Sequence, residues 1–174
     1  MGKVQIEDDD QLINHIQDEL GFLNGIKVKA GIFGEDDSFQ VMKASVHEFG
    51  VTIDVTPKMR AWFAYQGYPL SPDTTEIKIP ERSFIRRTFD QKMNKIDDLL
   101  DEQIIGIIEG KNSGKQTVLN LKIDLRGLIR ETMHEVDKPS LGNMTQERRK
   151  GSSGGNPLID TGTMWRAVNT KVEK

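Results

Sequence analysis

Residues 79–107 read IPERSFIRRTFDQKMNKIDDLLDEQIIGI, and their spacing decides the architecture. Ile85, Phe89, Met93, Ile96, Leu100, Ile104 and Ile107 recur at intervals of 4, 4, 3, 4, 4 and 3. That is the period of one face of an α-helix, so a long helix is expected from Pro80, with this stripe against a core. At 1.5 Å per residue, about 25 residues reach ~37 Å, roughly one domain diameter. Val118, Leu121, Leu125, Ile129 and Met133 form a second stripe and predict a helix over 116–136. EGKNSG between them is a turn, so the two helices pair antiparallel and cover a sheet.

Working toward the N-terminus, Glu76–Ile79 and the alternating Val51, Ile53 and Val55 read as strands. Residues 59–66, MRAWFAYQ, are aromatic-rich, which favours a pleated half-buried surface and predicts a strand between those two. Three short neighbouring strands then form an antiparallel meander. Residues 39–49 predict a short helix stopped by Gly50. Ile26, Val28, Ala30 and Ile32 alternate as a further strand, and Asp8, Asp9 and Asp10 open an N-terminal helix. Beyond the second helix, residues 138–156 hold only Leu141 and Met144 as large apolar residues and end in a Gly/Ser run. A mobile loop or arm is expected there. A closing strand follows over 167–172. The fold class is α+β, an antiparallel sheet packed against a long helix and a second helix.

The chain has 174 residues, 36% hydrophobic and 29% charged, which suits a single domain with its own core. Its net charge of −3 argues against a dedicated nucleic-acid binder, whose domain is usually strongly basic. It holds no cysteine, which excludes disulfides, thiolate metal sites and a thiol nucleophile. No apolar run suits a signal peptide or a membrane span, so a soluble, cytoplasmically made protein is expected. Gly2 is no myristoylation signal, because Ile6 stands where Ser or Thr is wanted.

Catalytic patterns fail on their spacing. Gly110, Gly114 and Lys115 suggest a phosphate loop, but only three residues separate the glycines and Gln116 follows the lysine. His47 and Glu48 would start a zinc-protease helix, yet Val51 occupies the second histidine position. Asp160-Thr161-Gly162 fits a helix cap, with Asp or Thr accepting the free N–H groups of the next turn. Paired acids at 97–98 and 101–102 fall on a solvated helix face. No enzyme, cofactor, metal or small-molecule substrate is expected.

Arg82, Arg86 and Arg87 crowd the start of the long helix, with Phe84 off its main stripe. An exposed aromatic beside arginines suits a protein–protein anchor or a nucleic-acid patch. The latter would also use Arg148, Arg149 and Lys150.

Three segments, in order, resemble the HK97 gp10-like and virion-morphogenesis families of tailed bacteriophages. They are ASVHEFG at 44–50, IPERSFIR at 79–86, and Lys150-Gly151-Ser152 with PLIDTG at 157–162. Ser83 stands where those families favour proline. The resemblance implies a non-enzymatic head–tail connector, neck or tail-completion protein that assembles as a ring. Its partners would be copies of itself and other phage head, portal-adaptor or tail proteins, with DNA only passing through a channel. It would act in the bacterial cytoplasm during assembly and then in the virion. Arg82, Phe84, Arg86, Arg87, Leu158, Ile159, Asp160, Thr161 and Trp165 are its expected partner contacts, and the 138–156 arm would order on assembly.

Overall fold

The computed structural model describes residues 10–149 and 155–174. Along them run helix α1 (Asp10–Leu23), strand β1 (Lys27–Gly31), helix α2 (Ser38–Phe49) and strand β2 (Val51–Asp54). Helix α3 (Pro57–Tyr65), strand β3 (Glu76–Ile79), helix α4 (Ile85–Ile108) and helix α5 (Gly114–Glu135) follow. Helices α6 (Asn143–Arg148) and α7 (Thr163–Ala167) and strand β4 (Asn169–Glu173) complete the chain. The α+β class holds, with helix dominating.

The meander does not form. Residues 57–65 are helix α3, because Thr56 and Pro57 make a helix start that outweighs aromatic β-propensity. The Thr56 hydroxyl accepts from Met59 N at 3.2 Å, and Pro57 sits in the first turn, where its missing N–H costs nothing. Arg60 on this helix donates to the Ser71 and Thr74 carbonyls, both at 2.8 Å, which fixes the loop back to β3. The strands therefore pair as two separate two-stranded antiparallel sheets, β2 with β3 and β1 with β4. Val51 faces Ile79 in the first, and Lys27 faces Glu173 in the second. A two-stranded sheet is marginal alone, so helix packing must hold both.

That packing centres on α5, which contacts α4, α1, β1 and β4. Phe84, Ile129, Met133 and Val136 are fully buried, joined by Leu158, Met164 and Val168 from the C-terminal segment. The long helix begins at Ile85, five residues after Pro80, and it leaves helical dihedrals at Lys92 (φ −116°, ψ 18°). The Lys92 ammonium spans to Glu131 at 3.0 Å and Glu135 at 2.9 Å, tying α4 to α5. Beneath it the buried Thr88 and Thr132 hydroxyls meet at 2.9 Å. The expected core stripe is only partly inside. Ile96 and Ile107 are buried, whereas Phe89, Met93 and Leu100 are 38, 49 and 38% exposed.

Residues 138–149 are not the structureless arm expected. They contain α6, and Leu141 is buried with its carbonyl accepting from Gln146 Nε2 at 2.7 Å.

Candidate functional site

The 44–50 and 79–86 segments meet at the start of α4. Helix α2 ends at Gly50, whose φ of 68° is open to glycine at little cost. A Cβ there would also lie 2.9 Å from Glu81 N and 3.1 Å from Ile79 O. The two segments therefore approach closely only because residue 50 has no side chain. Beside it, Arg82 N donates to His47 O at 2.7 Å.

This approach places the Glu48 carboxylate under the first turn of α4. Phe84 occupies the cap position and supplies no capping side chain, so the helix's free N–H groups need a partner from elsewhere. Glu48 provides it. Its two oxygens accept from Phe84 N at 2.9 Å, Ile85 N at 3.0 Å and Arg86 N at 2.8 Å. A buried carboxylate is costly unless it is hydrogen-bonded and neutralised. Here the positive end of the helix dipole and the Arg86 guanidinium do both, with Arg86 Nε at 3.3 Å. Arg86 also donates to the Glu48 carbonyl, pairs with Glu81 at 2.8 Å and lies over the Phe49 ring.

The remaining members of the basic, aromatic cluster are placed differently from expectation. Phe84 is 0% exposed and belongs to the core, so it is no surface anchor. Arg82 precedes the helix and is 3% exposed, with Nε donating to Pro139 O at 2.6 Å and Nη2 to Ser140 O at 2.9 Å. Burial lowers its pKa, and Arg149 adds to the effect. Arg87 is half-buried and makes no ion pair or hydrogen bond among the described residues. The three guanidinium groups thus make no common patch.

The third segment closes the junction from the other side. Asn156 Nδ2 donates to Met133 O at 3.0 Å and His134 O at 3.1 Å, satisfying carbonyls at the end of α5. Its Oδ1 accepts from Leu158 N and Ile159 N, so one amide ties the helix end to the loop. Pro157 and Leu158 are buried, and Ile159 packs against the same core. The expected Asp or Thr cap on α7 is absent. Gly162 is the cap residue, at φ 75° with no side-chain bond, while Asp160 pairs with Arg149 at 3.6 Å. Thr161 is exposed, and its carbonyl accepts from Arg166 Nη2 at 3.0 Å. Trp165 is half-buried, with the Arg130 guanidinium 4.3 Å above its ring and His134 edge-on. Lys150, Gly151 and Ser152 lie outside the described residues, as do Asp8 and Asp9.

Between α2 and the 158–164 loop an open cleft of about 440 Å³ is lined by Gln40, Lys43, His47, Leu158, Thr161 and Met164, among others. His47 is held neutral there. Desolvation, then Arg82, Arg149 and Lys43, push its pKa down to about 4. Gly110–Lys115, at the other end of α4, is the interhelical turn, and its Gly114 N–H is taken by the Glu19 carboxylate at 2.6 Å. An anion already fills the place a phosphate would need.

Sequence reasoning missed the role of Glu48. The usable signal was an acid immediately before the Phe-Gly helix stop, paired with a helix start lacking its own cap. No family model, curated protein or solved structure gives a significant match to the chain.

Proposed function

We propose that this chain is a structural protein of the head–tail connector, neck or tail-completion class of a tailed phage, working through protein–protein contacts and self-assembly. The observation that carries this reading is the amount of apolar surface left outside. Tyr65, Phe49, Phe39 and Trp62 are 86, 66, 56 and 45% exposed, and Ile105, Ile108, Leu119 and Ile123 are each about half exposed. Aromatic and large aliphatic side chains are what interface cores are made of. Their abundance outside suits a chain that finishes its burial in an assembly. The motif residues support the same reading, because Glu48, Gly50 and Arg82 serve to lock one junction, which Asn156, just before the third segment, closes from the other side. A rigid junction presents a fixed surface, which an adaptor between two rings requires.

The nucleic-acid reading rests on Arg82, Arg86 and Arg87, and of these Arg82 and Arg86 are engaged with carbonyls and carboxylates, which leaves Arg87. The deciding experiment is light-scattering mass of the purified chain with the head and tail proteins encoded beside it. A stable complex with one of them is expected. Binding to none, together with DNA binding that weakens steeply with salt, would replace this reading with the nucleic-acid one.

A further inference from the structure

The outer faces of α4 and α5 carry the same residue spacing with opposite charge. On α4, Met93, Asp97, Leu100, Asp101, Ile104 and Ile108 share one face, since they step by 4, 3, 1, 3 and 4 residues. Met93, Leu100 and Ile108 are 49, 38 and 48% exposed, and Asp97 and Asp101 are exposed without an ion pair among the described residues. On α5, Lys115, Leu119, Lys122, Ile123 and Arg126 step by 4, 3, 1 and 3. Leu119 and Ile123 are 48 and 51% exposed, and Lys115, Lys122 and Arg126 likewise make no ion pair among the described residues. One face is apolar and acidic, the other apolar and basic.

We infer that these two faces dock on each other between copies of this chain, α4 of one copy against α5 of the next. Each apolar row would cover the other, and the carboxylates would meet the cations that neither face pairs at home. Within one chain the two helices already meet along other sides, where Lys92 reaches Glu131 and Asn120 reaches Gln103. A contact between two different faces is heterologous, so each copy keeps a free donor and a free acceptor face. It therefore propagates from copy to copy, as a closed ring where the rotation between copies closes and as an open filament where it does not. This deepens the assembly reading above by naming the self-contact, and it is tested apart from the binding of head or tail proteins.

The test is sedimentation and light scattering of the full chain in four forms: wild type, each helix reversed alone, and both reversed together. Reversing α4 (Asp97→Lys with Asp101→Lys) or α5 (Lys122→Glu with Arg126→Glu) sets like charges opposite each other. Each should weaken self-association about a hundredfold, since like-charge juxtaposition costs several kcal/mol. Mixing the two variants restores opposite charge at every contact and should recover association, as should one chain carrying all four changes. That recovery also excludes misfolding as the cause of the loss. Wild-type-like association of either reversed form would overturn the proposal, and so would loss without recovery or a wild-type chain that stays monomeric at every concentration. If those outcomes came with intact binding of a head or tail protein, the connector reading would stand without this interface.

Discussion

The two ends of α4 are built in opposite ways. At its N-terminus, three helix N–H groups, a buried carboxylate and Arg86 satisfy one another, Arg82 is held by the Pro139 and Ser140 carbonyls, and the Phe84 ring is fully enclosed. Past the kink at Lys92, one side of the same helix packs on α5, while the other shows to water half-exposed apolar residues and acids with no ion-pair partner among the described residues. Phe84 and Arg82 of the cationic, aromatic end are thus interior structure, and part of the regular stripe that promised a core supplies surface. Charge and aromaticity alone do not mark a binding face. What marks it is polar and apolar groups left without partners after the chain has folded.

The largest expected effect separates the two ends by a single ring. Phe84→Ala should cost about 3–5 kcal/mol in denaturant unfolding, because the ring is fully enclosed and leaves a cavity. Phe89→Ala, one turn further at 38% exposure, should cost well under half of that. Equal losses would erase the contrast.

Next comes the shared carboxylate. Glu48→Ala strands three buried or half-buried N–H groups and should cost roughly 2–4 kcal/mol, while Glu48→Gln keeps an acceptor and should lose less. Loss of amide-exchange protection in the first turn of α4 would locate the damage. Protection unchanged in both variants would show that the capping contact contributes little.

The same junction should respond to acid. The His47 pKa is depressed to about 4 in the folded chain, against an ordinary value near 6.5. The unfolded chain therefore binds the proton first. Stability contributed by the neutral imidazole is complete above about pH 6.5 and is lost as pH falls toward 4. On the order of 2–3 kcal/mol should disappear across that window, and His47→Gln should flatten this part of the profile. A variant profile parallel to the wild type would remove His47 from the explanation.

The smallest effect belongs to the other end. Asp97→Lys or Lys122→Glu, each on an exposed or half-exposed site without a partner, should change monomer stability by no more than about 0.5 kcal/mol. A loss several times larger would mean these charges already serve the single chain.

Much of this was legible in residue order, and for a uniform reason. The period of α4 and α5, the stop at Gly50 and the strands at 27–31, 51–54 and 76–79 depend on neighbours within one or two turns, as does the last strand, expected from 167 and found at 169–173 after α7. Local spacing states such things directly. The same locality explains why a strand is expected at 59–66, since Thr56-Pro57 is a helix start signal that the aromatic run overshadows. Tertiary structure alone decided that a carboxylate from α2 caps α4, that β1 pairs with β4 across nearly the whole chain, and that Phe84 is buried while Phe89 is not. Burial and long-range capping depend on which elements meet. A helix whose apolar arc is wider than the neighbours available to it must leave part of that arc in water, and no periodicity says which part.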